Sequence, residues 1–410
     1  MRCVRVVSTD RGRGHLRQPT GRIVVRRRFG KLRARSIRVV GVILMALSIA
    51  TVSDPADGAK PGSITLDREV FVHGIGGTPN AMVRLKDANL VVVGALESAW
   101  AFAVDATGKA VWRYEKPKDP EVKDRYQSVY YGAVPLANGN VLLCGEVTTR
   151  TGSRGLLTLL DGNGRLVQER QLLAQNNPEF FSSSLRQCLT WKGGVVAVGS
   201  ASRRGGAGTP GWLLQLDASG APVSEHVDPE LRASAAVVSP DGTLVLARLD
   251  PGSTQLVRVD GRLQIVGRRS IPSSAFGLLR ATSPSAEVKL IAYQVALKAT
   301  LYSLGQQLED VQPARALDPV YVDKGRGYVL ADDSLALFGY VYKGGPYTAA
   351  IARIGSDAKT DSIDALAPQF ASFTVSDALP LTANRFATVR AVTGQTRDES
   401  GVAVSWVTFQ

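Results

Sequence analysis

The stretch AFAVDATGKAVWRYE, residues Ala101–Glu115, decides the fold. Apolar residues alternate along the chain up to Asp105, a turn follows with Gly108 at its corner, and a second alternating run leads through Trp112. Alternation on both arms around a residue that tolerates a positive φ is typical of an antiparallel β-hairpin. This stretch therefore predicts two strands joined by a tight turn.

The same hairpin recurs along the chain. Its corners are predicted at Gly108, Gly164, Gly220, Gly261, Gly305 and Gly355, at spacings of 56, 56, 41, 44 and 50 residues. The best-preserved copies also keep an aspartate before the corner, at Asp105, Asp161, Asp217 and Asp260. One supersecondary unit repeated at such a period indicates a propeller or an array of repeats.

A second series of turns lies upstream of these corners, for example at residues 138–140 (NGN) and 240–242 (PDG). Such turns are typical of hairpins. After most of them comes a strand that ends in a small residue, as at Gly94, Gly145 and Gly199. We expect these small residues to allow neighbouring blades to pack closely.

The two ends of the chain complement one another. The last unit stops after its third strand, at residues 402–409, while a strand-like segment at residues 63–72 has no unit of its own. An N-terminal strand that completes the last blade leaves only short, protected edges. The sequence therefore predicts one all-β domain over residues 63–410, a seven-bladed β-propeller closed by this N-terminal strand. Six or eight blades are the alternatives, because the fifth and sixth units are degenerate.

Most of the net charge of +13 belongs to the N-terminal segment. Residues 1–53 hold 13 of the 49 Lys and Arg residues and one acidic residue, which leaves 36 basic and 35 acidic residues in the remainder. A nearly neutral domain lacks the basic surface with which proteins bind nucleic acid. We therefore predict no nucleic-acid partner.

The N-terminal segment has the organisation of an export signal. The apolar run at residues 39–50 is too short to span a bilayer comfortably and is typical of a signal-peptide core. Residues 26–31 (RRRFGK) resemble the twin-arginine export motif, and a general secretory signal or a start codon further downstream are the alternatives. We predict a signal peptide with a basic n-region over residues 1–50, a linker over residues 51–62, and a periplasmic or secreted protein with no stable membrane anchor after cleavage.

Two cysteines, Cys144 and Cys188, lie in apolar strand patterns. Their positions suit two small buried side chains in different blades, and they also suit a disulfide in an oxidising compartment. Spacing along the chain does not distinguish these alternatives.

The segment Ala103–Trp112 resembles the repeat of pyrroloquinoline-quinone (PQQ)-type propellers. That repeat carries Ala-x-Asp, a Thr-Gly-Lys corner and a tryptophan three residues after the lysine, and Trp112 falls at the tryptophan position. The resemblance implies that Trp112 docks between blades as a structural residue. The family includes quinone-dependent dehydrogenases and non-catalytic assembly scaffolds, and the short chain is more similar to the scaffolds.

Residues for catalysis or metal binding are scarce beyond the leader. The two histidines there, His73 and His226, lie in different units, and His73 sits in a glycine-rich loop expected near the mouth of the central channel. Asp161 begins a segment that looks like a calcium loop, but Arg165 stands where an oxygen ligand belongs. We predict neither a catalytic residue nor a metal site.

Binding residues are predicted on the face that carries the connections between blades. These connections surround the channel mouth, and aromatic and arginine side chains there suit recognition of a protein or glycan. The candidates are Arg125, Tyr126, Tyr130, Phe180, Phe181, Arg186, Arg203, Arg204 and His73.

The sequence thus predicts an exported binding or scaffold protein that acts through its loop face on a protein or envelope component, without a cofactor. The alternative is a divergent quinone-dependent dehydrogenase, or an enzyme acting on a sugar or lactone, with its site at the central channel. Under that alternative the protein would hold PQQ or calcium, because the side chains do not supply the chemistry. A third interpretation is a surface protein with a structural role and no small ligand.

Overall fold

The computed structural model describes residues 63–122, 127–206, 208–250, 252–272, 278–281, 289–293, 299–304, 308, 312–317, 321–341, 348–356, 360–365, 374–393 and 400–410. Within these ranges the protein is all-β, with 28 strands and two 3-10 helices of three residues, Ala174–Asn176 and Pro229–Leu231. Neither of these helices, which are the helical segments of the described ranges, has the length or apolar character to cross a membrane.

The first half of the chain forms three four-stranded antiparallel sheets, each made of consecutive strands. Strand β1 (Ile64–His73) precedes them and pairs elsewhere. The strands of the three sheets are β2 (Thr78–Arg84), β3 (Leu90–Ala95), β4 (Ala99–Val104) and β5 (Ala110–Glu115); β6 (Ser128–Pro135), β7 (Val141–Thr149), β8 (Gly152–Leu160) and β9 (Leu166–Leu172); and β10 (Phe180–Trp191), β11 (Gly194–Arg203), β12 (Gly211–Leu216) and β13 (Pro222–Asp228).

The second half repeats the pattern with one difference. A fourth sheet contains β14 (Ala235–Val238), β15 (Leu244–Asp250), β16 (Ser253–Val259) and β17 (Ile265–Ile271). An eight-stranded sheet follows, with β18 (Leu278–Ala281), β19 (Lys289–Tyr293), β20 (Ala299–Ser303), β21 (Gln312–Leu317), β22 (Tyr321–Val329), β23 (Leu335–Val341), β24 (Thr348–Ile354) and β25 (Thr360–Ala365). The last sheet joins β26 (Asp377–Pro380), β27 (Arg385–Val392) and β28 (Gly401–Phe409) to β1.

Hydrogen bonding therefore groups the described strands into six sheets, whereas the sequence predicted seven blades. The difference arises in the eight-stranded sheet, where β18 pairs in parallel with β22 at Arg280 with Tyr328 and Ala281 with Val329. This short pairing merges the strands of the fifth and sixth repeats. At the chain ends, β1 pairs with β28 along its whole length, from Ile64 to His73.

The architecture is that of a β-propeller. The first strands of the repeats, β2, β6, β10, β14, β18, β22 and β26, each lie against two others of this set and are innermost. The last strands, such as β5 and β9, are largely exposed. The core lies between neighbouring sheets: Val91 and Ala101 of the first pack with Leu143 and Leu156 of the second.

The outer hairpin corners of the first four sheets are turns built on an aspartate. The Asp217 Oδ1 atom accepts hydrogen bonds from the backbone amides of Ser219 at 2.8 Å and Ala221 at 2.9 Å. The Ser219 hydroxyl, together with these amides, lowers the pKa of the Asp217 carboxyl because the bonds favour its charged form. The left-handed residue lies three positions after the aspartate, as at Gly108 and Gly220, with φ of 82° and 84°.

The prediction that Gly261 forms the fourth corner is wrong. Gly261 directly follows Asp260, and the left-handed residue is Leu263, with φ 62°. In the next repeat Leu308 is left-handed, with φ 58°, while the predicted corner Gly305 lies outside the described residues. Leu263 and Leu308 are both buried. Burial of a leucine side chain contributes about 1.5–3 kcal/mol, which offsets the roughly 1–2 kcal/mol cost of the left-handed backbone.

Trp112 links the first sheet to the corner of the second. Its indole nitrogen donates to the Gly162 carbonyl at 3.0 Å. A β-carbon on Gly164 would lie 2.5 Å from the indole ring, so the ring fills the space beside this glycine.

The two cysteines for which the sequence left alternatives open form a disulfide. Cys144 of β7 and Cys188 of β10 are bonded, with their α-carbons 6.3 Å apart. Both are buried, and a β-carbon on Gly132 would lie 2.9 Å from the Cys144 sulfur. The second strand of the second sheet and the innermost strand of the third are therefore covalently joined.

The glycines within the second strands of the first three sheets, Gly94, Gly145 and Gly199, accommodate β-bulges. A β-carbon on Gly145 would lie 1.9 Å from the Val129 carbonyl oxygen, and one on Gly199 would lie 1.9 Å from that of Ser184. At Gly94 the corresponding distance, to the Thr78 oxygen, is 2.3 Å. Each contact lies within one sheet, so the expectation that these glycines serve packing between neighbouring blades is wrong.

Replacing Gly145 by alanine is expected to lower the free energy of unfolding by about 2–3 kcal/mol. The added methyl group would displace the Val129 carbonyl and distort the adjoining bulge, as overpacking does in a dense interior. Urea unfolding measures the change. Gly162→Ala is the matched control, because its nearest neighbour would be 3.6 Å away and its cost should stay within about 0.5 kcal/mol. Equal midpoints for the two variants would contradict the account.

Candidate functional site

Three β-bulges lie at the same level of the first three inner strands. The extra residue is Asn80 in β2, Tyr131 in β6 and Arg186 in β10, where the pairing register shifts. A bulge inserts one residue into a strand and re-aims its side chain. All three residues line a central cavity of about 450 Å³.

The central cavity is bounded by inner strands that side chains tie together. The Asn80 amide donates to the Tyr130 carbonyl at 2.8 Å, and Arg326 donates to the Asn80 carbonyl at 3.1 Å. On the opposite side of β2, the amide of Met82 donates to an Asp377 carboxylate oxygen at 2.7 Å. Hydrogen bonds between neighbouring strands at this level give the cavity a defined wall, and its volume is within the range of ligand pockets.

A second cavity of about 420 Å³ adjoins the first, with which it shares Asn80 and Tyr131. It lies between the first two sheets, at the ends of their strands. Its other lining residues are Gly77, Thr78, Ala95, Leu96, Ser128, Val129, Glu146 and Thr148. Most polar groups in this lining are neutral, and Glu146 supplies its carboxylate.

Tyr131, Glu146 and Arg186 form one interacting cluster between the two cavities. The Tyr131 hydroxyl donates to Glu146 Oε1 at 3.0 Å, and Arg186 Nη2 lies 3.4 Å from Glu146 Oε2. The Arg186 guanidinium carbon is 4.1 Å from the centre of the Tyr131 ring, a cation–π contact. Burial raises the pKa of the Tyr131 hydroxyl well above its usual value, so it remains a hydrogen-bond donor at neutral pH.

A further bulge lies at the start of β10, at the strand end that corresponds to the end of the first two sheets where the second cavity lies. The register shifts between Phe180 and Ser182, and the extra residue, Phe181, is 38% exposed. The Arg203 guanidinium carbon lies 5.0 Å from the ring centre of Phe180.

The structure separates the predicted binding residues into three groups. Phe181, Arg186, Arg203, Arg204 and His73 are at least partly accessible at the ends of strands or in connections. Arg125 and Tyr126 lie outside the described residues.

Tyr130 and Phe180 are corrections, because both side chains are buried and offer no surface to a partner. Tyr130 is fully buried and its hydroxyl donates to Thr158 Oγ1 at 2.9 Å within the core. Phe180 is 1% exposed. In each case a bulge follows, so that the next residue, Tyr131 or Phe181, occupies the accessible position.

The sequence prediction missed Asn80, Glu146 and Arg326 as cavity residues. A signal for the bulge exists at Tyr130 and Tyr131, where two large residues are adjacent in an otherwise alternating strand and a glycine, Gly145, lies across from them. Neither Glu146 nor Arg326 carries such a signal. Glu146 is positioned by the pairing of its strand, and Arg326 contacts the site from across the cavity. Within the described ranges no three residues of His, Cys, Asp or Glu are grouped to hold a metal ion.

No protein-family profile matches the chain, and no curated protein matches it. Similar solved structures include the Neurospora crassa Pan2 WD40 domain, at 11% identity over 85% of this chain and 97% of that one, with a TM-score of 0.54. A fungal alcohol oxidase of the AA5 family, in complex with copper, is similar at 12% identity over 85% of this chain and 77% of that one, with a TM-score of 0.51. At these identities the similarity shows the fold alone. The protein is a β-propeller.

Proposed function

We propose that the protein is an exported seven-bladed β-propeller that binds a protein or another envelope component around the mouth of its central cavity. The observation that carries the proposal is the set of three aligned bulges, which turn Asn80, Tyr131 and Arg186 toward two adjoining cavities. Because the three bulges lie at the same level of three neighbouring repeats, their extra residues line the same central cavity, as expected of a binding site.

Seven blades account for the strand connectivity. Each half of the eight-stranded sheet, β18–β21 and β22–β25, has the consecutive antiparallel order of the four-stranded sheets. Among the described strands, the two halves are joined by hydrogen bonds only through the short pairing of their innermost strands. With β1 as the fourth strand of the last blade, the ring of innermost strands is continuous and the chain ends meet in one blade.

Export is supported by two independent features. The basic N-terminal segment with its apolar run of residues 39–50 is typical of a signal peptide. The Cys144–Cys188 disulfide suits an oxidising compartment such as the periplasm or the cell exterior. The similarity of Ala103–Trp112 to the PQQ-type repeat fits the same proposal, since Trp112 joins two sheets as the resemblance implies.

Recognition of a macromolecule is supported by the chemistry at the mouth. Arg and Tyr are the residue types enriched where protein partners bind most tightly, and Arg186 on Tyr131 presents both. Arg186 is half exposed, so a partner can reach its guanidinium while Tyr131 and Glu146 hold it in position.

Site-specific photo-crosslinking in the native cell tests this proposal. A photoreactive residue at position 203, where β11 ends opposite the start of β10, is expected to form adducts. One at position 165, in the corner between β8 and β9 at the opposite strand ends, is not. Adduct yield should fall about tenfold with Arg186→Ala, as for an interfacial arginine worth at least about 1.4 kcal/mol, and stay unchanged with Arg165→Ala. The chain carries its own leader, so its recovery from the envelope fraction or medium reports export. Equal adducts from both positions would overturn the proposed binding face. Retention in the cytoplasm would overturn the proposed export.

A further inference from the structure

We propose that the surface formed by Arg154, Phe181, Arg203 and Arg204, here called the arginine rim, binds an acidic segment of a partner protein. This inference rests on the proposed function and names the chemistry of the partner. The arginine rim lies on the second and third sheets, at the start of β10, five residues before Arg186.

Two members of the arginine rim, Arg154 and Phe181, are held in place before any partner binds. The bulge at Phe181 exposes its ring, and its carbonyl oxygen accepts a hydrogen bond from Arg154 Nη1 at 3.1 Å. Gly152 approaches so closely that a β-carbon there would lie 1.9 Å from the same oxygen. Groups that are fixed in advance lose less conformational entropy on binding, which favours affinity.

The positive charge of the arginine rim is not neutralised by the described part of the chain. Within the described ranges, Arg154 donates, besides Phe181, only to the Ser153 carbonyl and the Thr151 hydroxyl, each at 3.1 Å, and these oxygens carry no formal charge. Arg203 contacts the Phe180 ring, and neither it nor Arg204 forms an ion pair within the described residues.

Neighbouring arginines behave differently, which makes the rim distinctive. Arg150 pairs with Glu121, and Arg186 pairs with Glu146. Along the three segments that build the rim, residues 150–154, 174–181 and 203–210, the sequence contains one acidic residue, Glu179. The rim is therefore a place of net positive charge on a domain that is nearly neutral overall.

Carboxylates are the complementary groups. A guanidinium binds a carboxylate through paired, charge-assisted hydrogen bonds, and an apolar side chain of the partner would cover Phe181. An anionic membrane is the less favoured partner, because three cations contribute only about 1 kcal/mol each to adsorption and the exposed ring stands among fixed arginines. An acidic segment with an apolar residue between its acids matches both parts of the rim.

Fluorescence polarisation with defined peptides tests the inference on the full mature chain. The probe is fluorescein-labelled Gly-Asp-Glu-Phe-Asp-Glu-Gly, and its control replaces each acid by the corresponding amide. We expect the acidic peptide to bind at least tenfold more tightly than the amide peptide, and its affinity to fall between 50 and 300 mM NaCl. The double variant Arg203→Gln/Arg204→Gln should weaken it about tenfold, and Phe181→Ala about fivefold.

A matched double variant separates the rim from overall charge. Arg165→Gln/Arg269→Gln removes the same charge at two exposed sites away from the rim and should leave the affinity unchanged. Equal binding of acidic and amide peptides, no binding of either, or equal losses in both double variants would each overturn the inference. Arginine-dependent binding of phosphatidylglycerol vesicles without peptide binding would assign the rim to a membrane instead. The photoreactive residue at position 203 itself replaces Arg203. If its crosslinks persist when Arg204→Gln is added, the proposed function stands and only this inference fails.

Discussion

Replacing both Cys144 and Cys188 by alanine is expected to lower the free energy of unfolding by about 4 kcal/mol. The disulfide closes a loop with a sequence separation of 44 residues, and the entropy that such a loop loses in the unfolded chain corresponds to this amount at 25 °C. Both sulfurs are buried beside Gly132, so the alanines also leave unfilled space there. The two effects act in the same direction.

Urea unfolding of three samples separates the disulfide from the side chains. The oxidised protein should have the highest midpoint, and the reduced protein and the double alanine variant should both unfold at lower urea. A reductant should shift the wild-type curve and leave the variant's curve in place, which is the internal control. Coincident curves for the oxidised and reduced protein would show that the bond adds nothing to stability.

The propeller architecture could be predicted from the sequence because each hairpin carries local signals. Alternating strands and the Asp105-to-Gly108 corner recur, and side-chain hydrogen bonds to the corner aspartates form within five residues. The pairing of the first strand with the last could also be predicted, because the N-terminal strand had no unit of its own and the last unit was one strand short.

The exact corner residues and the positions of the bulges were harder to predict from the sequence. Leu263 takes a left-handed conformation that favours glycine because its side chain is buried between sheets, and local propensity does not reveal such burial. Likewise, a bulge shifts the alternation by one residue, so Tyr130 rather than Tyr131 was predicted to be accessible.

For the candidate site, the sequence located the right connections but not the side-chain partners. The composition of the connections pointed to Arg186 and Arg203, whose neighbours come from other strands. Glu146 meets Arg186 across two sheets, and Arg326 reaches Asn80 from 246 residues away. Contacts of this kind depend on how the sheets are arranged around the cavity, which no local pattern encodes.

The pairing of β1 with β28 is reinforced by two carboxylates on β1 with different surroundings. Glu69 accepts hydrogen bonds from Arg390 Nη2, at 2.8 and 2.7 Å, and from the Ser405 hydroxyl at 2.6 Å. Arg390 is 1% exposed, and its other guanidinium nitrogens, Nε and Nη1, have no hydrogen-bond partner among the residues that the structure describes. Glu69 therefore supplies the hydrogen bonds that this buried cation makes.

Replacing Glu69 by alanine is expected to lower the free energy of unfolding by about 3–5 kcal/mol, because it leaves the buried Arg390 guanidinium without its counter-charge. Asp67→Ala is the matched control on the same strand. Asp67 accepts from Arg385 at 3.0 Å, but that arginine is 46% exposed, and a pair in contact with solvent is worth about 1 kcal/mol or less. Urea unfolding and the rate of proteolysis within β1 measure both effects.

Arg390→Met should cost less than Glu69→Ala, since it removes the buried charge and leaves Glu69, which solvent reaches in part. Equal small losses in all three variants would show that β1 contributes little to the last sheet, and the proposed closure of the propeller by its N-terminal strand would then be wrong.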